Sequence, residues 1–170
     1  MDLKSKIRDI PDFPQPGIIF KDITPLFQDA EAFKYAIDSL ADKYRNAKID
    51  VIVGIEARGF MVGAPLAYLL GVGFVPMRKP GKLPADVISA SYDLEYGSNT
   101  LELHRDAIKP GQRVLLVDDL LATGGTMAAA VKLVEQLGGE VAGISFLTEL
   151  SFLKGRTALA SYDVFSLMSF

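Results

Sequence analysis

The sequence predicts an α/β domain with a mainly parallel, twisted sheet flanked by helices. Three observations carry that expectation. Short aliphatic and β-branched runs, DVIVGI at 50–55 and VLLV at 114–117 among them, read as strands buried on both faces. Segments with apolar residues at helical spacing alternate with these runs. Glycine and proline punctuate the sequence between elements, as at Pro110-Gly111 and Gly138-Gly139.

Taken in order, residues 2–9 are expected to form a short helix. The next segment, PDFPQPGIIFKDITP (11–25), holds four prolines and a glycine, too many breakers for regular structure. Residues 30–46 are helical, with Phe33, Ile37, Leu40 and Tyr44 on one face. The strand at 50–55 is followed by a buried helix near 60–70, a turn at Gly71 and a strand near 73–77. Residues 78–100, rich in Pro, Gly, Ser and Lys, read as a loop that passes into a strand-like piece near 99–104. After the 114–117 strand, Met127, Val131, Val134 and Leu137 recur at helical spacing, and Gly138-Gly139 caps that helix. A strand at 141–149, a helical turn at 151–157 and a last strand at 162–168 complete the chain. Neither a repeat nor a linker divides it, so residues 1–170 are expected to be a single domain.

Composition narrows the function. Hydrophobic residues make up 49% and charged residues 23%, the balance of a globular chain with a proper core. The absence of cysteine excludes a disulfide framework and thiolate chemistry, and suits a reducing compartment. A net charge of −3 argues against a general nucleic-acid binder. The polar start, MDLKSKIRDI, is not expected to act as a signal peptide. Gly59 to Met77 is free of charge over 19 residues, long enough to span a bilayer, but its glycines and prolines favour a buried helix, a turn and a strand instead.

The richest stretch is VLLVDDLLATGGT, residues 114–126. It reads as a buried strand, a loop and the start of a helix, and in such units ligands sit beyond the carboxyl ends of strands. Gly124 and Gly125 let the backbone approach a ligand and aim successive N–H groups at it. The helix N-terminus adds free N–H groups and partial positive charge, while Thr123 and Thr126 add hydroxyl donors. All of this suits a phosphate monoester. Asp118 and Asp119 would repel a phosphate, so they must face ribose hydroxyls or a divalent cation. A phosphate site beside a sugar-diol site describes a ribose 5-phosphate.

VLLVDDLLATGGT resembles the phosphoribosyl-pyrophosphate (PRPP) motif of the type I phosphoribosyltransferases, and the Leu120-Leu121-Ala122 insert resembles the adenine-specific branch of that family. Three further stretches share the resemblance in order: FPQPGIIFKDITPL (13–26), IEARGF (55–60) and LTELSFLKGR (147–156). It implies a type I phosphoribosyltransferase-like fold with a mobile hood loop at about 78–100. It implies transfer of a phosphoribosyl group from PRPP to adenine, giving AMP and pyrophosphate, with Mg²⁺, in a cytoplasmic homodimer that uses neither nucleic acid nor membrane.

The resemblance also distributes roles. Ala122, Thr123, Gly124, Gly125 and Thr126 bind the phosphate of PRPP or AMP. Asp118 and Asp119 hold the ribose hydroxyls and, through water, the metal. Ala57, Arg58, Arg78, Lys79 and Lys82 meet pyrophosphate, the three basic residues of RKPGKLP partly across a dimer interface. Arg58 packs near the base, and Glu95 in SYDLEYG exchanges a proton with the purine; both count as catalytic. Main-chain groups at Ile19, Phe20 and Lys21 read the adenine edge. His104, the single histidine, reads as structural. Two alternatives stand beside this reading. The same chemistry on another base (xanthine, hypoxanthine-guanine or orotate) is disfavoured by the LLATGGT and FPQPGIIFKDITP segments. A PRPP-sensing regulator would need a DNA-binding module, for which 170 residues leave no room.

Overall fold

In the computed structural model, which describes residues 1–93 and 97–170, the aliphatic runs become the middle of one sheet. A 3-10 turn at Lys4–Lys6 leads into β1 (Arg8–Pro11) and β2 (Ile19–Asp22), an antiparallel pair. Then come α1 (Thr24–Gln28), α2 (Ala30–Tyr44), β3 (Val51–Ile55), α3 (Arg58–Leu70) and β4 (Gly73–Met77). β5 (Val87–Asp93) and β6 (Ser98–His104) pair antiparallel. β7 (Arg113–Leu121), α4 (Gly125–Gln136), β8 (Glu140–Glu149), 3-10 turns at Ser151–Leu153 and Gly155–Leu159, and β9 (Val164–Ser169) follow.

The main sheet is parallel throughout, in the order β4-β3-β7-β8-β9. Both faces are covered, which is why its strands read as unbroken apolar runs. On β7, Val114 and Leu116 point into one core with α4 and the β5–β6 hairpin, while Leu115 and Val117 point into the other with α2 and α3. Helix α2 starts where the Asp29 carboxylate accepts the N–H groups of Glu31 and Ala32, and its buried stripe includes Ile37, Leu40 and Tyr44. The chain winds from β3 toward one edge and from β7 toward the other. Strand order therefore reverses between β3 and β7, and the crevice of the sheet lies at their carboxyl ends.

Four expectations are corrected. Residues 2–9 contain one 3-10 turn, after which residues 8–11 pair with β2, clamped by Arg8–Asp22 at 2.5 Å and Lys21–Asp9 at 2.7 Å. The 11–25 segment is accordingly not irregular throughout: Pro14 and Pro16 fall in the connection, where no ladder N–H is needed, and 24–28 is helical. Residues 87–93 form a strand within the segment expected to be a loop, because Ile88, Ala90 and Tyr92 alternate inward onto the core beside Leu101 and Leu103 of β6. Finally, Asp118 and Asp119 lie inside β7 rather than past its end. The β3 pairing stops at Gly54–Val117, whereas β7 continues against β8 as far as Leu121–Glu149.

Leu116 is fully buried at the centre of the sheet. Leu116→Ala should lower unfolding free energy by about 2–5 kcal/mol in a denaturant titration, since the strand cannot collapse into the space left. A loss under about 1 kcal/mol would contradict this packing.

Candidate functional site

A cavity of about 380 Å³ opens where β3 ends and β7 runs on. Glu56, Ala57 and Arg58 form one wall, Asp118, Asp119 and Leu120 another, and Lys79, Tyr92, Asn99 and Thr126 close it. The sequence builds the first wall by ending a buried strand and starting α3 within two residues. Glu56 then ties that turn to the next crossover: its carboxylate accepts the Lys79 backbone N–H and faces Arg78 Nη2 at 3.3 Å.

The second wall is held by charge. Asp119 is buried, and its Oδ2 meets Arg58 Nε at 2.8 Å. The same guanidinium stands 5.4 Å from the ring centre of Phe20, so one side chain links β2, α3 and β7. The Oδ1 of Asp118 accepts the Asp119 N–H at 2.8 Å. Helix α3 presses on this carboxylate so closely that a Cβ on Gly59 would lie 2.9 Å from Oδ1; glycine there is a packing requirement. Burial pushes the Asp118 carboxyl well above the usual carboxylate range, the neighbouring Asp119 charge adds to the rise, and Arg58 opposes it.

A shallow recess next to the cavity is lined by Asp118, Leu121, Ala122, Thr123, Gly124 and Thr126. Gly124 takes a left-handed φ of +88° as the N-cap of α4, which turns the loop beside the recess into a helix whose first N–H groups have no intrahelical partner. The Thr126 hydroxyl donates to the Tyr92 hydroxyl at 3.1 Å. This recess offers backbone donors at a helix N-terminus, the chemistry of an anion site, while the larger cavity offers carboxylate acceptors and cations.

The structure thus brings Ala57, Arg58, Lys79, Asp118, Asp119 and Thr126 around one cavity, with Ala122–Gly124 beside it. Arg78 is turned to Glu56, with its Nε enclosed and without a partner among the described residues. Lys82 lies exposed on the crossover, apart from the cavity wall. On β2, Phe20 faces Arg58, whereas Ile19 and Lys21 face a separate apolar groove; the Lys21 ammonium bonds Asp9 at 2.7 Å and lies over Phe170. Glu95 lies outside the described residues. His104 accepts the Ala85 N–H at 3.3 Å, in keeping with a structural role. Sequence reasoning missed Glu56, Tyr92, Asn99 and Leu120 on the cavity wall. The period-two pattern of Ile88, Ala90 and Tyr92 was the signal for the hairpin that carries two of them.

The chain is similar to known proteins over nearly its whole length. Residues 26–165 match the family described as the phosphoribosyl transferase domain. The chain is 62% identical to an adenine phosphoribosyltransferase of Halothermothrix orenii over 168 residues, covering 99% of each. The crystal structure of adenine phosphoribosyltransferase from Thermoanaerobacter pseudethanolicus superposes with a TM-score of 0.97 at 61% identity, covering 99% of this chain and 98% of that one. The Saccharomyces cerevisiae enzyme, solved with an imino-altritol bisphosphate and adenine, gives 0.92 at 46% identity, covering 98% and 96%.

The raised Asp118 pKa has a consequence for stability. The folded state holds this proton above the pH at which an unfolded aspartate, near pKa ~3.9, has lost it. Its stabilising contribution is complete below that value and is lost as pH rises through the raised folded pKa. Asp118→Asn keeps the acceptor for Asp119 N–H and cannot ionise. The Tm of the variant relative to wild type should therefore climb as pH rises above about 4. A difference that stays flat as pH rises refutes the shift.

Proposed function

The chain belongs to the adenine phosphoribosyltransferases of the phosphoribosyl transferase family, and from that premise we propose the assignment of its residues to the reaction. The enzyme transfers the 5-phosphoribosyl group of PRPP to adenine, giving AMP and pyrophosphate. The observation that carries the assignment is the Ala122–Thr126 loop at the N-terminus of α4, set directly against the Asp118-Asp119-Arg58 cavity.

In this reading the 5′-phosphate sits on the backbone N–H groups of residues 122–126, with the Thr123 and Thr126 hydroxyls. Asp118 and Asp119 accept hydrogen bonds from the ribose hydroxyls, and placing that diol fixes C1′ in the cavity. Cleavage of the C1′–O bond develops positive charge on the sugar ring and needs no protein nucleophile. The protein's part is positioning, charge stabilisation and exclusion of water. Ala57 and Arg58 at the α3 N-terminus, with Arg78, Lys79 and Lys82, receive the pyrophosphate; the enclosed Nε of Arg78, without a partner among the described residues, supports its place in that set. The main chain of Ile19, Phe20 and Lys21 reads adenine, which suits a β2 whose Lys21 side chain is already engaged with Asp9.

Mg²⁺ fits this donor set as a substrate-borne ion. The described residues contain no group of three or more His, Cys, Asp or Glu side chains able to hold a metal. Asp118 and Asp119 supply two carboxylates, which would hold a hydrated Mg²⁺ through its waters. When bound, it neutralises pyrophosphate oxygens. A homodimer is part of the proposal: α3 exposes Met61, Tyr68 and Leu69, an apolar surface suited to a second copy beside the pyrophosphate residues. The reading carries with it a cytoplasmic location; among the described residues no helix is long and apolar enough to cross a membrane.

Two measurements test the assignment. With PRPP and Mg²⁺ present, AMP should form from adenine, while hypoxanthine, guanine, xanthine and orotate yield little nucleotide; equal use of another base would overturn the adenine reading. Glu95, proposed to share a proton with the purine ring, should be needed for turnover. Glu95→Gln is expected to lower kcat by roughly 10²-fold with little change in KM for PRPP. An unaltered kcat removes Glu95 from the chemistry.

A further inference from the structure

The LTELSFLKGR segment at 147–156 contributes no side chain to the roles above, yet it holds the most fully bonded ion pair among the described residues. Glu149, the last residue of β8, is buried. Arg156 Nε donates to both of its carboxylate oxygens at 2.8 and 3.0 Å, and Nη2 donates to Oε2 at 2.7 Å. The guanidinium also gives Nη1 to the Val164 carbonyl at 2.7 Å and reaches Ser166 Oγ at 3.5 Å. Arg156 holds Glu149 below the usual carboxylate range, chiefly through these hydrogen bonds. With its donors spent on β8 and β9, Arg156 is not arranged to bind an anion itself.

The chain between the two partners packs backbone-to-backbone on the phosphate loop. The Leu150 N–H donates to the Leu121 carbonyl at 2.9 Å. Lys154 turns the chain with a left-handed φ of +55°, and this delivers the buried Gly155 behind Ala122 and Gly124. A Cβ on Gly124 would stand 2.5 Å from the Gly155 carbonyl oxygen, and one on Gly155 would strike the Ala122 carbonyl. The loop thus has the recess on one side and the 154–156 turn on the other.

We propose that Glu149 and Arg156 are positioning residues for substrate: their ion pair fixes the 154–156 turn, and the turn sets the backbone N–H groups of Ala122–Thr126 where the phosphate must meet them. The inference rests on the reading of that loop as the phosphate site. Backbone donors have no side-chain rotamers with which to recover a lost contact. A displacement near 1 Å behind them therefore acts directly on phosphate affinity, and misplacements of that size can cost up to about 10²-fold in catalysis.

The test is steady-state kinetics on the full enzyme with Arg156→Gln, Arg156→Lys, Glu149→Gln and, as a loop control, Thr126→Val. Arg156→Gln and Glu149→Gln should each raise KM for PRPP by roughly tenfold, with kcat and KM for adenine within about twofold of wild type. Arg156→Lys, which keeps the charge but loses the planar fork, should fall between. Hydrogen exchange should quicken at the amides of 121–126 in the glutamine variants while β3 is unchanged. If Arg156→Gln does not fold, the other two pair variants decide by the same criterion. A PRPP KM within about twofold of wild type in every folded pair variant overturns the inference, as does a parallel rise in both KM values with the loop exchange unchanged. The control separates the two failures. If Thr126→Val raises KM for PRPP and the pair variants do not, positioning alone is wrong; if Thr126→Val is also silent, the phosphate loop itself has been misplaced.

Discussion

Two carboxylates side by side on β7 set the terms for the rest of the site. Adjacent like charges near the interior are unfavourable, and the structure answers in three ways. Arg58 pairs with Asp119, burial shifts Asp118 toward its neutral form, and Gly59 lets the first turn of α3 close over it. Each answer limits another part of the fold. Arg58 must begin α3, so β3 must end with only two residues between, and β7 must outrun β3 for the aspartates to line the cavity. The reversal of strand order at this point makes that space available.

Much of this was legible in the sequence. Strands with unbroken apolar runs and helices with a clear stripe were placed within a few residues, because burial on both faces or on one leaves a direct periodic trace. The 122–126 loop was legible as the entry to a helix for a different reason, its glycines beside paired aspartates; its use for phosphate is the proposal. What escaped was structure that depends on cross-strand pairing. β1 and β2 contain little core and are held by Arg8–Asp22 and Lys21–Asp9, contacts between residues more than ten positions apart. The β5–β6 hairpin hid behind the prolines and glycine of 80–84, although its inward residues alternate at period two. Glu56, an ordinary acid in a turn by sequence, acquires its role from Arg78 and Lys79, which only the β3–β4 pairing brings to it.

Recognition by backbone, as proposed, would leave little trace in the side chains of the binding segments. The proposed phosphate and adenine contacts use N–H and C=O groups of residues 122–126 and 19–21, and almost any side chain can accompany such groups. Sequence constraint moves instead to the neighbours that hold the backbone still. Gly155 behind Gly124, the Arg156–Glu149 pair behind Gly155, and Phe20 against Arg58 are side-chain or packing features placed one layer away from ligand. A segment such as LTELSFLKGR can therefore be specific to a function without touching the substrate.

The charges on and beside the cavity wall give the last step. Arg58 pairs with Asp119 and Arg78 with Glu56, while Lys79 and the Asp118 carboxyl, which burial shifts toward its neutral form, stand outside those two pairs. A ligand carrying phosphates alone would take the cations and leave the aspartates uncompensated. A ligand carrying hydroxyls alone would satisfy the aspartates without using the cations. In the proposed assignment PRPP does both, its diol donating to the carboxylates while its pyrophosphate recruits the basic side chains. The desolvation cost of the paired carboxylates is thus offset when both halves of one molecule arrive together. On that assignment, selectivity for a phosphorylated ribose over free phosphate or free sugar follows from the coupling, carried by Arg58, which pairs with Asp119 and is assigned to the pyrophosphate.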